Sequence, residues 1–184
     1  RAEARSTLHF DDHRVYCVFI GRLTQIKRPD RLIEIARRTK LQNENVTYLV
    51  VGDGELSEQL QTESNSENLP INFLGWRDDI PTVLAASDFL ILTSDNEAVA
   101  LTLVEAAQAG IPIITTPAGS VRDIARNGEN AIVTTFEIES LVNAVTKLVS
   151  DGELRSRMGK QGFLIANSDF SIATMVEKHH SYYM

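Results

Sequence analysis

Two apolar runs constrain the fold of this chain most: residues 15–20 read VYCVFI and residues 46–51 read VTYLVV. A strand with one wet face alternates apolar and polar residues. A nearly unbroken run implies cover on both faces, as in a parallel sheet. Shorter runs follow at 71–74, 88–92, 111–115 and 131–134. Between the runs the spacing turns helical. Over 29–40, Leu32, Ile33, Ile35 and Ala36 recur on one face, and Pro29 suits a first turn. Further helices are predicted over 55–64, 79–86, 99–109, 121–126, 138–149 and 154–166, with a last one over 171–183. Repeated βα units with short connections predict an α/β fold built on a doubly wound parallel sheet. The 184 residues, 43% of them hydrophobic, suffice for one such core.

Sheets of this kind bind ligands beyond the C-terminal ends of their strands. The loops after Ile20, Val51, Leu74, Leu92 and Thr115 therefore carry the candidate chemistry. The first contains Gly21, Arg22 and Lys27. It lacks the three spaced glycines of a dinucleotide fingerprint. It offers instead a glycine for close approach, a planar fork of donors and a point charge, a set suited to a diphosphate; the alternative is two solvated cations beside a strand end. Lys27, Arg28 and Arg31 also form a local basic cluster that would accept a small anion. After the second run comes Gly52-Asp53-Gly54, which a tight turn explains fully. After the third comes Gly75-Trp76-Arg77, where the single tryptophan either meets a nucleobase or caps the core.

The loop after the fourth run, Thr93-Ser94-Asp95-Asn96-Glu97, is rich in capping residues and precedes a helix whose N-terminus favours phosphate. The segment AVALTLVEAAQAGIPII, residues 98–114, then holds a single charge, Glu105. A carboxylate in such surroundings is expected to be buried, and there it requires a donor from the protein or from a ligand. Glu97 and Glu105 are eight positions apart, which on one helix separates them by about 80°. They converge only if Glu97 lies in the loop. Each has a plain alternative: Glu97 as a first-turn acid, Glu105 as half of a structural ion pair.

The net charge of −7 argues against general nucleic-acid binding. The lone Cys17 is expected as a buried hydrophobe, which fits a reducing, cytosolic setting. His9, His13, His179 and His180 lie near the chain ends, and no metal site is expected.

Taken in order, Gly21-Arg22 with Lys27, Val51-Gly52-Asp53-Gly54, Phe73-Leu74-Gly75, Ala86-Ser87-Asp88, and Glu97 followed after seven residues by Glu105 match a family. From about Val15 onward the chain resembles the C-terminal domain of GT-B-fold retaining glycosyltransferases. This is the large group (glycosyl transferases group 1, family 4) that includes bacterial mannosyl-, glucosyl- and sucrose-type transferases. The resemblance implies a Rossmann-like domain forming one half of a GT-B fold. Residues 1–14 would be an extension or linker from a missing N-terminal acceptor-binding domain, 15–170 the donor-binding domain and 171–184 a C-terminal helix. It implies that Arg22 and Lys27 neutralise the diphosphate of a nucleotide sugar, UDP- or GDP-linked, and that Glu97 contacts the donor sugar. Glu105 would hold the ribose. Backbone N–H groups around Val99, Ala100, Leu101 and Thr102 would hold phosphate, with Gly21 nearby. Gly75, Trp76 and Arg77 would flank the base. No cofactor or metal is implied beyond the donor, and membrane contact would reside in the other half, at the inner face. Ala98 and Ala100 stand where the family has glycine. That departure favours the alternative of a non-catalytic sugar-nucleotide-binding or interaction module; a related sugar-nucleotide epimerase is a third reading.

Overall fold

The computed structural model describes residues 1–42, 45–98 and 100–171, together with Thr174 and Val176. Most of the helix expected over 171–183 lies outside them. Six strands, β1 (Val15–Ile20), β2 (Val46–Val51), β3 (Ile71–Gly75), β4 (Phe89–Leu92), β5 (Ile113–Thr115) and β6 (Ala131–Val133), form one sheet in the order β3-β2-β1-β4-β5-β6. Every pairing is parallel, with Val15 opposite Val46 and Ile20 opposite Val51. The order reverses direction between β1 and β4, so the loops after these two strands leave a crevice at that switch point.

The unbroken apolar runs have the predicted cause. Along β1, Val18 and Ile20 pack in one core while Cys17 and Phe19 pack in the other. The first core takes side chains from α4 (Ile80–Ala86), α5 (Leu101–Gln108) and the C-terminal part of α7 (Gly152–Asp169). The second takes α2 (Pro29–Leu41), α3 (Ser57–Ser66) and α6 (Ile138–Ser150). Period-two alternation thus sends apolar residues to both faces, which requires helices on both.

Residues 1–14, expected as an extension, are packed onto the domain. They open with α1 (Ala2–Thr7), and Leu8 and Phe10 rest against the first core. Arg5 is 3% exposed. It donates from Nε to the Ala86 carbonyl at 3.1 Å and from Nη2 to Asp88 Oδ2 at 2.7 Å. A buried guanidinium persists only when paired in this way. The segment expected as a helix over 121–126 is a short 3-10 turn, Gly119–Asp123. The strand expected over 111–115 begins two residues late, at Ile113.

Candidate donor-binding site

The loops at the C-terminal edge of the sheet are stitched together by their backbones. The Gly52 N–H donates to the Gly75 carbonyl at 2.8 Å, joining the loops after β2 and β3. Gly52 has φ 128°, and a Cβ there would lie 2.0 Å from the Gly21 carbonyl oxygen. Only glycine allows the β1 and β2 loops this approach. Across the switch point, Thr93 Oγ1 donates to the carbonyls of Lys27 and Arg28, at 3.1 and 2.8 Å.

Lys27 and Glu97 meet in this crevice. Lys27 Nζ donates to both Glu97 carboxylate oxygens at 2.6 Å, and Ser94 Oγ donates to Glu97 Oε1 at 2.6 Å. Glu97 is only 5% exposed, whereas the Lys27 ammonium reaches partly into solvent. Its backbone is held from the far side: the Ser120 N–H donates to the Glu97 carbonyl at 3.1 Å. Arg22 is exposed, and among the described residues neither an ion pair nor a hydrogen bond engages its guanidinium.

The wider basic cluster is neutralised by carboxylates. Arg28 pairs with Asp30 and Asp95, and Arg31, which is buried, pairs with Asp95 at 2.7 Å. Burial raises the Asp95 carboxyl, but hydrogen bonds from Arg28 and Arg31 outweigh it and hold the group below its ordinary value. These two arginines tie the Asp95 loop to the start of α2. Arg28 and Arg31 adjoin Lys27 in sequence, but their acid, Asp95, lies across the switch point.

Helix α5 begins at Leu101, so Glu97 lies in the loop, the condition for it to approach the ligand side independently of Glu105. The capping residues expected in that loop do not cap: the residue at the helix N-cap is Ala100, and among the described residues no side-chain cap bond is made there. Serine and aspartate are consumed by Glu97 and by the two arginines instead. The first-turn N–H groups of Leu101 and Thr102, with the positive end of the helix dipole, are therefore left for a ligand. Ala100 sits at φ −89°, ψ 72°, and Ala98 is not among the described residues with positive φ. Neither alanine thus occupies the left-handed region that favours glycine. Val99 lies outside the described residues.

Glu105 is not buried as its apolar segment predicts. It is exposed, and no protein donor meets its carboxylate among the described residues. It borders a recess of about 280 Å³ between α4 and α5, walled by Ile80, Pro81 and Leu84. Partial burial in this apolar setting raises its carboxyl above the ordinary value. The helix turns Leu103, Ala106 and Ala107 into the core, so the face carrying Glu105 looks out. The apolar neighbours in sequence were its core-facing flanks, not its surroundings.

Trp76 is 78% exposed, which removes the reading that it caps the core. It stands free on the β3 loop beside Gly75, whose φ is 67°. Arg77 is turned away into a two-pronged pair with Asp79 at 2.7 and 2.6 Å. Among the described residues no three metal-ligating side chains come together, and no helix is long and apolar enough to cross a membrane. Cys17 is buried and free.

A six-stranded parallel sheet in the order β3-β2-β1-β4-β5-β6, with helices on both faces, is a Rossmann-like domain of the GT-B type. The profile of the family "Glycosyl transferases group 1" matches residues 1–164, and the chain belongs to that family. The match includes residues 1–14, which the motif-based resemblance left out. UDP-Gal:alpha-D-GlcNAc-diphosphoundecaprenol alpha-1,3-galactosyltransferase of Escherichia coli is 30% identical over 172 residues, covering 90% of this chain and 44% of that protein. Lipopolysaccharide core biosynthesis glycosyltransferase LpsE of Rhizobium meliloti is 27% identical over 155 residues, covering 83% and 44%. The crystal structure of HepE from Anabaena in complex with UDP and glucose superposes with a TM-score of 0.85 at 26% identity, covering 98% of this chain and 51% of that one. The chain spans about half the length of these relatives.

Proposed function

We propose that this chain is the nucleotide-sugar-binding half of a retaining, metal-independent glycosyltransferase that moves a hexose-type sugar onto a glycan or lipid-linked acceptor. The observation that carries the reading is the Lys27–Glu97 pair in the loops after β1 and β4, the two strands that flank the sheet's switch point; the same loops carry Arg22, which is exposed and unpaired among the described residues, and lead into the N-terminus of α5. Arg22 and Lys27 would hold the diphosphate and stabilise the charge that develops on it as the sugar leaves. Glu97 would accept hydrogen bonds from the sugar, and Glu105 from the ribose. Trp76 and the Gly75 backbone would border the base. The acceptor hydroxyl would come from the half of the relatives that this chain does not match. Named relatives include a UDP-galactose-dependent enzyme and a protein crystallised with UDP and glucose, which favours a uridine nucleotide.

Calorimetric titration of the chain with UDP, GDP and ADP tests the reading. At least one is expected to bind, with affinity unchanged by EDTA. Absence of binding by all three at millimolar concentration would overturn it. Binding that EDTA abolishes would overturn the metal-independent form.

Glu105 gives a second, sharper expectation, because its two roles have opposite signs. Its folded-state carboxyl is raised by desolvation. Between the ordinary and the raised value the folded state holds the proton better than the unfolded chain, so stability falls as pH rises through that window. Glu105→Gln is therefore expected to flatten this pH dependence and leave stability at neutral pH equal or higher. The same variant should lose about tenfold in nucleotide affinity, the size of one charge-assisted hydrogen bond. Melting curves over roughly pH 4–7, paired with titrations, check both. Lower stability with unchanged affinity would make Glu105 structural.

A further inference from the structure

Glu97 is a buried carboxylate whose partners differ in how replaceable they are. Lys27 supplies one donor group to both oxygens, and Ser94 supplies a second to Oε1. On the donor-binding reading above, Lys27 also holds the diphosphate together with Arg22, and an ammonium drawn toward phosphate leaves the carboxylate. A buried carboxylate stripped of its cation needs donors that stay. Ser94 fits that requirement. Its residue is 0% exposed, and its backbone is fastened from the neighbouring strand end, where Thr116 Oγ1 donates to the Ser94 carbonyl at 2.6 Å. Thr116 is likewise fully buried, and its own N–H donates to the Leu92 carbonyl at 3.2 Å. The chain Thr116–Ser94–Glu97 thus runs from the rigid ends of β4 and β5 to the crevice.

We propose that Ser94, braced by Thr116, is a positioning residue that fixes the Glu97 carboxylate for the hydroxyl groups of the donor sugar once the diphosphate engages Lys27. Ser94 touches neither sugar nor phosphate; it acts through Glu97. Its contribution must then appear in recognition of the sugar and not of the nucleotide. That separation distinguishes it from a residue that merely supports the loop, since loss of the loop would weaken both.

The test compares, for the full chain, affinity for UDP-glucose, UDP-galactose and GDP-mannose with affinity for the matching nucleoside diphosphate. The sugar nucleotide that the wild type binds tightest is used throughout. Ser94→Ala is expected to lower the ratio of sugar-nucleotide to nucleotide affinity by about tenfold, as for loss of a hydrogen bond to a charged group, with affinity for the bare diphosphate kept. In a Glu97→Ala background the same change should have no further effect on the ratio, because the group it positions is gone. Melting temperatures recorded alongside confirm that each variant is folded. An unchanged ratio in Ser94→Ala, an equal loss for both ligands, or additive effects with Glu97→Ala would each overturn the proposal while leaving nucleotide binding intact. A wild type that binds diphosphates but gains nothing from the sugar would also overturn it. A wild type that binds none of these nucleotides would overturn the donor-binding reading and this proposal with it.

Discussion

Replacing Lys27 by alanine is expected to lower affinity for the nucleoside diphosphate by roughly tenfold to a hundredfold, the equivalent of one charge-assisted contact to phosphate. The same change removes the ammonium from a carboxylate that is 5% exposed. Fully buried pairs broken in this way cost ~3–5 kcal/mol; partial solvent access at Lys27 should hold the loss to about 1–3 kcal/mol. The two effects separate in a double variant. Lys27→Ala with Glu97→Gln leaves no uncompensated charge, so stability should recover while affinity for the bare diphosphate stays low. Thermal unfolding and calorimetry on the two single variants and the double complete the cycle. Full affinity in Lys27→Ala would show that Lys27 serves only to neutralise Glu97.

Gly119→Ala is the second large effect. Gly119 lies at φ 57°, and a Cβ there would sit 1.9 Å from the Glu97 carbonyl oxygen. The obstacle is backbone, so no rotamer change relieves it. Left-handed backbone at a non-glycine residue and displacement of the Glu97 loop together should cost about 3 kcal/mol or more. In a chain of this size that corresponds to a fall of roughly 6–12 °C in melting temperature. The Ser120 N–H bond to Glu97 and the Ser120 Oγ bond to the Ala98 carbonyl, at 3.1 and 2.6 Å, pass through the same turn. Sugar recognition should therefore decline with stability. A melting temperature within a degree or two of wild type would show that the turn relaxes freely and that Glu97 does not depend on it.

Both predictions concern contacts between loops far apart in sequence, which local spacing does not specify. The capping residues of Thr93-Ser94-Asp95 were visible, as was their spacing to Glu97. A serine three residues before a glutamate reads as a helix start. Here the serine bonds the glutamate side chain and the helix begins further on, at Leu101. Arg31 was legible as a cation but not as one already claimed by Asp95 from the opposite side of the switch point.

Fold class and strand order along the chain were determined by the sequence alone, with strand ends displaced by up to two residues. Unbroken apolar runs, helical spacing between them and short connections depend only on local periodicity, and they lead to a parallel sheet whose ligand edge is known in advance. Glu97, Lys27 and Arg22 could be named for the same reason: they fall at strand ends. Tertiary structure alone decided which charges remain available. Glu105 faces a recess and not the core, because α5 buries Leu103, Ala106 and Ala107 and turns the neighbouring face outward. Residues 1–14 pack against the sheet's helices, and Arg5 finds its acceptors at Ala86 and Asp88, more than eighty residues away. Burial and ion pairing are set by packing between distant segments, and local spacing carries no record of them.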